Sequence, residues 1–247
     1  MSKIINEMKR SILIIATNAR EGHIPSAFSV LDILWVLYDR ILKAGDKFIL
    51  SKGHGCLALY VVLAEKGFFP RSDLDTFCEF DSPLGGHPDM NKINGIEAST
   101  GSLGHGLPIA VGMAMAKKIK KESGNIYCLV GDGECNEGSI WESALIASHH
   151  GLTNLTCIVD YNHSTDRALR LDDLSKIFNA FGWRVYNIDG HDHLWLERML
   201  SPTELPKPTA VIANTIKGNG IKRMENNPEW HHKQPTEGEL KEMLQEL

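Results

Sequence analysis

The stretch "NIYCLVGDGECNEGSIWESA", residues 125–144, joins a short apolar run to a glycine turn crowded with acids. The run over 125–130 has the length of a buried strand, and a helix is predicted over 139–150 with Ser139 as its cap. Three glycines, one aspartate and three glutamates fall within residues 131–142. A glycine turn between a buried strand and a helix is a common place for phosphate, which carboxylates repel. A divalent cation between acid and phosphate resolves that conflict.

The rest of the chain repeats the alternation of strand and helix. A buried strand is also predicted over 155–159 and further strands over 183–189 and 209–215, with helices over 172–181 and 192–199 between them. Other helical patterns cover 2–17, 26–42, 54–67, 72–79, 107–123 and the last residues, whereas 80–106 is a long loop rich in glycine, proline and asparagine. This order predicts an α/β fold with a parallel sheet and helices on both faces. Ligands of such sheets bind beyond the carboxyl ends of the strands.

Composition narrows the class of protein. The 247 residues are 43% hydrophobic and 23% charged with a net charge of −5, which is typical of a globular protein and gives no basic field for nucleic acid. No apolar run approaches the ~20 residues that span a bilayer. The run "ILIIA" is too short for a signal sequence, and Ile4, Ile5, Met8, Ile12 and Ile15 instead fall on one face of an amphipathic first helix. Five cysteines without a CxxC pair favour the reducing cytoplasm. We expect a single domain over 1–247, with a helical segment 1–80 packed on the α/β core.

Two neighbouring predicted strands end in "GDG" (131–133) and "DYN" (160–162). Because their loops open on the same sheet edge, Asp132 and Asn162 can converge and form an oxygen-only site for Mg²⁺ or Ca²⁺. Gly131 and Gly133 let the backbone approach phosphate. A dinucleotide site is the competing interpretation, but GxGxxG is absent, and a P-loop is excluded because no GK[ST] follows.

Four of the histidines that follow a glycine are candidates for a binding site: His23, His54, His87 and His105. Zinc is disfavoured because the pairs His191/His193 and His149/His150 lack cysteine or acidic companions at ligand spacing. Neutral imidazole both donates and accepts hydrogen bonds, which suits a polyhydroxylated substrate.

The sequence resembles transketolases, a thiamine-diphosphate-dependent family. "GDG" followed about thirty residues later by asparagine is similar to the motif that binds this cofactor, and "LSKGHGCLALY", "GGHPD", "STGSLGHGL" and "ENNPEWHHK" follow the order of a transketolase N-terminal half. The resemblance covers nearly the whole chain. It implies a diphosphate-binding α/β domain that transfers a two-carbon ketol unit from a ketose (phosphate) to an aldose through thiamine diphosphate and Mg²⁺.

The resemblance also implies roles for individual residues. The catalytic candidates that line the sugar channel are His23, His54, His87, His231 and His232, the doubling in "WHHK" leaving open which of the last two is the active-site histidine. The cofactor-binding candidates are His54, Gly101, Ser102, Leu103, Gly104, His105, Gly131, Gly133, Glu137 and Asn162. The metal-binding candidates are Asp132, Asn162 and the carbonyl of Ser164. Glu137 and Glu142 match subunit-interface positions, and Glu134 is expected to be a solvated loop residue.

The chain departs from the family at three places. Ser164 replaces an apolar residue that packs on the cofactor, and "GHIPSAFS", with Pro25 and Phe28, replaces a glycine-rich segment at the mouth of the channel. The resemblance implies a second domain that carries the glutamate activating the aminopyrimidine, and we expect no room for it after residue 247. We therefore expect one subunit of a split enzyme that acts with a separate C-terminal subunit, in a 2+2 assembly, on sugar phosphates or related sugars.

Three alternatives stay open at this point. One is another glycolaldehyde-transferring enzyme half, such as one similar to deoxyxylulose-phosphate synthase. Another is a nucleotide-binding oxidoreductase that works without a metal. The third is a non-catalytic regulatory partner, which the altered loop "NHSTDRAL" favours slightly.

Overall fold

A five-stranded parallel sheet forms the centre of the protein, as seen in a computed structural model that describes residues 2–166, 169–171, 173–202 and 206–247. The strands stand in the order β1-β2-β3-β5-β4, and every neighbouring pair is parallel. Their bounds are Lys47–Leu50 (β1), Ile126–Gly131 (β2), Leu155–Tyr161 (β3), Arg184–Asp189 (β4) and Thr209–Asn214 (β5).

Helices cover both faces of this sheet. They are Ser2–Ala19 (α1), Ile24–Val36 (α2), Cys56–Glu65 (α3), Gly106–Lys120 (α4), Gly138–His149 (α5), Leu174–Ala180 (α6), His193–Leu200 (α7) and Glu237–Glu246 (α8). A π-helical turn, Leu37–Ile41, continues α2. Short 3₁₀ helices lie at Gly53–Gly55, Arg71–Thr76, Gly133–Asn136 and Pro228–Trp230. Among the described residues, no helix is both long and apolar enough to cross a bilayer.

The alternation of side chains along the strands divides the core in two. Tyr127 and Leu129 of β2 belong to a buried cluster with α1, α2, α3, α7 and α8, whereas Cys128 and Val130 belong to a second cluster with α4, α5 and α6. Successive residues of a strand face opposite sides of its sheet, so a strand that is apolar throughout needs helices on both sides. The predicted fold class is therefore confirmed. That residues 1–247 form one domain stays a prediction.

Most predicted elements match the structure, with three corrections. The strand β1 was not predicted, because "KFIL" is only four residues long and its partner in β2 lies almost eighty residues further on. The segment predicted as a helix over 72–79 instead forms the 3₁₀ helix Arg71–Thr76. Ser139 does not cap α5, whose N-cap residue is Glu137; the Ser139 hydroxyl instead donates to the carbonyl oxygen of Gly104, at 2.7 Å. Residue 172 of a predicted helix and residues 167–168 of "NHSTDRAL" lie outside the described residues.

The carboxyl ends of β2 and β3 bring the two polar loops side by side. Gly131 at the end of β2 pairs with Asp160 of β3, and the backbone N–H of Asp132 donates to the carbonyl oxygen of Asp160 at 3.1 Å. The loops that follow therefore start from adjacent points on one sheet edge, as expected for parallel strands.

Candidate active site

The predicted metal residues Asp132 and Asn162 meet at Ser164. The backbone N–H of Ser164 donates to Asp132 Oδ2 at 2.9 Å and to Asn162 Oδ1 at 3.1 Å. The Ser164 hydroxyl donates to Asp132 Oδ1 at 3.1 Å, and the Gly133 N–H donates to the same oxygen at 2.8 Å. Asp132 and Asn162 are both buried. The carboxylate and amide oxygens thus converge on one small region, in which Ser164 presents its N–H and hydroxyl groups; a ligand role for its carbonyl oxygen stays a prediction.

A buried ion pair lies behind this loop. The Lys52 ammonium donates to the Asp160 carboxylate, and 2% and 0% of the two side chains are exposed. Asp160 also accepts from Ser29, Asn162 and Thr215. Burial alone would raise the pKa of Asp160, but the Lys52 charge and the hydrogen bonds outweigh it and hold that pKa below its ordinary value. Little in the sequence indicated this pair, beyond a lysine in "SKGHG" and an aspartate at the end of an apolar strand.

Glu134 corrects a prediction, because it is buried rather than a solvated loop residue. It accepts a hydrogen bond from the Ser51 hydroxyl, one from the Gly104 N–H at 2.8 Å and one from the Gly131 N–H at 3.1 Å. Burial raises the pKa of Glu134, and these three donors offset that rise only in part. Glu134 therefore fastens the "GDG" loop to the segment 101–106. The donors are either remote in sequence or backbone groups, so no local pattern could reveal these contacts.

The segment 101–106, predicted to surround the cofactor, packs against the start of α5 through Ser139 and Gly104. Ser102, Leu103 and His105 are exposed, and the His105 ring nitrogen Nδ1 lies 3.0 Å from the carbonyl oxygen of Leu103. Gly101 has φ +150°, and a Cβ at this position would lie 3.0 Å from His87 Cδ2. The segment thus has an exposed rim and a buried base.

The carboxylates Glu137 and Glu142, predicted to lie at a subunit interface, are both exposed in the monomer. Glu137 precedes α5 and Glu142 lies within it. Their exposure leaves them accessible to a second chain.

Four of the five predicted catalytic histidines form one cluster. The ring of His23 lies 5.1 Å from that of His54, 5.3 Å from that of His231 and 4.3 Å from that of His232, measured between centroids. The rings of His231 and His232 are 4.6 Å apart. The doubled histidine of "WHHK" therefore contributes both of its rings to the cluster.

His87, the fifth predicted catalytic histidine, stands on the long loop and is exposed. The Tyr60 hydroxyl on α3 hydrogen-bonds the carbonyl oxygens of Gly85 (2.9 Å) and His87 (3.0 Å). The Cys56 thiol lies 3.1 Å from the carbonyl oxygen of Gly86. Two buried side chains of α3 therefore hold the backbone of "GGH", and the His87 ring lies against Gly101.

Burial keeps three of the clustered imidazoles neutral. Desolvation, followed by repulsion from His232 and His231, lowers the pKa of His23 to about 4. Desolvation and the Lys52 charge lower the pKa of His54 to about 2. Desolvation and the Lys217 charge lower the pKa of His231 to about 4. At neutral pH these rings are hydrogen-bonding groups without charge.

Lys217 is a buried cation that the sequence interpretation did not single out. Its ammonium lies 2.9 Å from His231 Nδ1, and burial together with the Lys52 charge lowers its pKa to about 8. Its signal in the sequence is a lysine between an apolar strand and two glycines, "TIKGNG".

A second buried group links Asp32 to the histidines of "DGHDH". Asp32 Oδ2 lies 2.8 Å from His191 Nδ1, and Asp32 Oδ1 lies 2.6 Å from His193 Nε2. Asp32 is thus the acidic companion that sequence spacing did not reveal. The Ile216 backbone N–H donates to His191 Nε2 at 2.9 Å, so that nitrogen carries a lone pair and the proton of His191 is on Nδ1. This chain of contacts ends at the residue before Lys217.

The oxygen atoms at the sheet edge fit a divalent cation. Burial and the neighbouring Asp160 carboxylate raise the pKa of Asp132, which indicates a carboxylate short of positive charge. A carboxylate and an amide oxygen that already share one donor, the Ser164 N–H, are hard ligands of the kind that Mg²⁺ and Ca²⁺ prefer. The backbone of 131–133 borders the same edge, where the N–H groups of Gly131, Asp132 and Gly133 already donate within the protein.

The chain belongs to the transketolase family, since the family model described as "Transketolase, thiamine diphosphate binding domain" matches residues 2–247. Its fold agrees with this assignment: transketolase from Campylobacter jejuni superimposes with a TM-score of 0.87 at 28% identity, over 98% of this chain and 43% of that one.

Among its relatives are subunits of split enzymes. A subunit of the apulose-4-phosphate transketolase of Actinobacillus succinogenes is 41% identical, over 100% of this chain and 95% of the relative. The subunit SqwG of a 6-deoxy-6-sulfo-D-fructose transketolase, from a Clostridium species, is 38% identical, over 92% of this chain and 88% of the relative. Human transketolase is 37% identical over 98% of this chain, which spans only 41% of that protein.

Proposed function

We propose that this chain is the N-terminal subunit of a split transketolase, which transfers a two-carbon ketol unit from a ketose (phosphate) donor to an aldose acceptor. The main support is the convergence of two different groups of side chains on one sheet edge. Asp132 and Asn162 supply oxygen ligands. The histidine cluster lies nearby, because Lys217 is 2.9 Å from His231 Nδ1 and also interacts electrostatically with Asp132. The first group suits a metal-bound diphosphate and the second suits sugar hydroxyls.

In this proposal Asp132, Asn162 and Ser164 hold Mg²⁺, and Gly131, Gly133 and the segment 101–106 hold the diphosphate. Thiamine diphosphate, when bound, supplies the carbanion-stabilising chemistry that the side chains lack. The Lys52–Asp160 pair fixes Asn162, because Asp160 accepts the Asn162 amide hydrogen at 2.9 Å and so directs the amide oxygen towards the Ser164 N–H. Glu134 holds Gly104 and Gly131 at fixed positions around the diphosphate.

The histidines act on the sugar in this proposal. The low pKa values of His23, His54 and His231 mean that each ring keeps one donor and one acceptor nitrogen at neutral pH. Such rings orient hydroxyl groups and pass a proton between them without adding charge. Lys217 stands 2.9 Å from His231 Nδ1 and donates to it, so the His231 proton lies on Nε2, the nitrogen available to an acceptor oxygen.

A separate chain completes the enzyme in this proposal. The chain matches almost the full length of relatives that are named as subunits of a transketolase, but less than half of single-chain transketolases. We infer a C-terminal subunit that supplies the glutamate activating the aminopyrimidine, and a 2+2 assembly in which the exposed Glu137 and Glu142 lie at an interface between copies. Five free cysteines support a reducing compartment such as the cytoplasm.

Calorimetric titration of thiamine diphosphate in the presence and absence of Mg²⁺ tests the cofactor site. We expect Mg²⁺-dependent binding that Asp132→Ala abolishes. Asp166→Ala is the matched control, because this carboxylate lies on the same loop but faces His163, 3.0 Å away. If Asp132→Ala bound thiamine diphosphate in the presence of Mg²⁺ as tightly as the wild type does, the metal assignment would be refuted. Binding of NAD(P) without regard to Mg²⁺ would instead support the oxidoreductase alternative.

Native mass spectrometry of the chain isolated with thiamine diphosphate and Mg²⁺ tests the partner. The proposal requires a second polypeptide and bound cofactor in one complex, which then converts ketose donors to shortened aldoses only when an acceptor is present. A homodimer without cofactor would contradict it and favour the regulatory alternative.

A further inference from the structure

Three imidazoles of the histidine cluster are placed as metal ligands. One ring nitrogen from each of His23, His231 and His232 lies within 4.8 Å of the other two. His23 stands in the turn before α2, and the other two follow the 3₁₀ helix Pro228–Trp230. The Gln234 amide donates to the carbonyl oxygen of Gly22 at 2.6 Å and so holds these two remote segments together.

The chemistry of these rings agrees with their placement. His23 Nδ1 is buried and has no hydrogen-bond partner among the described residues. Buried nitrogens without a partner are rare in folded proteins, and such an atom calls for a ligand. His232 is exposed, so the cluster opens to solvent on one side and an ion can enter.

We propose that His23, His231 and His232 form a binding site for a divalent transition metal of the zinc class, with a fourth position open to water or to a sugar oxygen. Zinc sites with three protein ligands and an open position are usual, and their Zn–N bonds of about 2.0–2.1 Å place the nitrogens about 3.3 Å apart. Small rotations of three side chains, one of them on the surface, close the remaining distance.

This site differs in kind from the oxygen site at Asp132. Imidazole nitrogen suits Zn²⁺, Ni²⁺ and Cu²⁺, whereas carboxylate and amide oxygens suit Mg²⁺. The metal binding itself does not depend on the proposed function. The consequence of metal binding does rest on the proposed function. A metal held here would withdraw His23 and His231 from the sugar, so the site would make the enzyme sensitive to transition metals.

Lys217 opposes the metal electrostatically. Its ammonium is 2.9 Å from His231 Nδ1, and two cations on one side chain repel each other. Replacing it with an uncharged residue of similar length, Lys217→Met, is therefore expected to tighten metal binding.

The test is a Zn²⁺ titration of the chelator-treated full chain, without thiamine diphosphate or sugar, followed by calorimetry and by competition with a chromophoric chelator. We expect one site per chain, and His232→Gln is expected to weaken it by more than about tenfold. His23→Gln and His231→Gln should do the same. Co²⁺ in place of Zn²⁺ should give the intense visible absorption of a four- or five-coordinate ion, which His232→Gln removes.

The control is the double variant His149→Gln/His150→Gln, which removes the exposed histidine pair at the end of α5. Loss of Zn²⁺ binding in this variant with retention in His232→Gln would overturn the proposal, as would the absence of saturable binding by the wild type. Because His232 is on the surface, its variant is expected to fold even where His23→Gln does not.

The Asp132→Ala variant separates this proposal from the proposed function. It should lose Mg²⁺-dependent cofactor binding and keep its Zn²⁺ affinity. A wild type that binds thiamine diphosphate with Mg²⁺ but not Zn²⁺ would refute the zinc site alone, whereas Zn²⁺ binding without any cofactor binding would refute only the cofactor site.

Discussion

Replacing Lys52 with methionine removes the positive partner of a fully buried carboxylate. Lys52 is 2% exposed and Asp160 is 0% exposed, and Lys52→Met keeps most of the aliphatic packing of the lysine stem. Asp160 retains the hydrogen bonds from Ser29, Asn162 and Thr215. The change therefore isolates the missing charge.

The loss of unfolding free energy in Lys52→Met depends on whether Asp160 stays ionised or takes up a proton. Breaking a buried ion pair by removing one partner costs about 3–5 kcal/mol of unfolding free energy. The variant can limit this cost by protonating Asp160, which at pH 7 costs about 4 kcal/mol relative to an unfolded carboxyl of pKa about 3.9. At pH 5 the same protonation costs only about 1.5 kcal/mol. Lys52→Met should thus be destabilised by about 3–5 kcal/mol at pH 7 and by about 3 kcal/mol less at pH 5.

The sign of this pH dependence distinguishes the variant from the wild type. In the wild type the pKa of Asp160 is lowered, so its contribution to stability is fully present above about pH 4 and is lost only as the pH falls through the folded-state pKa. Between pH 5 and 7 that contribution is constant. In Lys52→Met the pKa of Asp160 is raised instead, the folded state binds the extra proton, and stability from this group increases as the pH falls from 7 to 5.

Urea unfolding at pH 7 and pH 5, followed by tryptophan fluorescence, measures both effects. Lys66→Met is the control, because its ion pair with Asp39 is partly exposed, at 23% and 32%, and its loss should cost about 0–1 kcal/mol. The double variant Lys52→Met/Asp160→Asn should be more stable at pH 7 than Lys52→Met alone. A loss at pH 7 no larger than that of Lys66→Met, or an equal loss at both pH values, would contradict the role assigned to the Lys52 charge.

Three further substitutions test contacts around the same edge. Glu134→Gln replaces one accepting oxygen with a donor that faces another donor. It should lower the unfolding free energy by about 1–3 kcal/mol and weaken the binding of thiamine diphosphate. A denaturant titration measures the first effect and a cofactor titration the second. Gly106→Ala places a Cβ 2.3 Å from Ser51 Oγ and should lower the unfolding free energy in urea by about 1–3 kcal/mol. Gly112→Ala, in open space on the same helix, should raise it by about 0.5–1 kcal/mol. Equal effects of the two substitutions would contradict the packing described at Gly106. Burial raises the pKa of Asp32, but hydrogen bonds from two histidines outweigh it and lower that pKa to about 2. Asp32→Asn should therefore lower the unfolding free energy by about 2–3 kcal/mol above pH 4. Stability measured by acid titration should show this difference shrinking between pH 4 and 2.

The fold could be predicted because its strongest signals are local. The strands β2, β3 and β5 are apolar runs, and Ile5, Met8, Ile12 and Ile15 of α1 lie on one buried helical face. The capping box of Thr236 and Glu239 begins α8 where the sequence predicted a terminal helix. The convergence of Asp132 and Asn162 also follows from strand order alone, since adjacent parallel strands end at the same edge.

The polar interior could not be predicted, because its partners are far apart along the chain. Ser51 and Glu134 are 83 residues apart, Lys52 and Asp160 are 108 apart, and Asp32 and His191 are 159 apart. A charged residue next to glycine is usually solvated, and only the three-dimensional fold reveals that Glu134 is not. The histidine cluster is an intermediate case: the sequence singled out its members, but not which of them touch.

The acids of the "GDG" segment have a physical reason once their surroundings are counted. At this edge the described residues include three buried carboxylates, Asp132, Glu134 and Asp160, and two buried ammonium groups, Lys52 and Lys217. Asp160 pairs with Lys52, which lowers its pKa, whereas burial raises the pKa values of Asp132 and Glu134. Glu134 and Asp132 each accept three hydrogen bonds, but only Asp132 also faces the charge of the Asp160 carboxylate. On the proposed function, a divalent cation at Asp132 would lower the electrostatic energy of this edge and would let diphosphate bind beside acids that otherwise repel it.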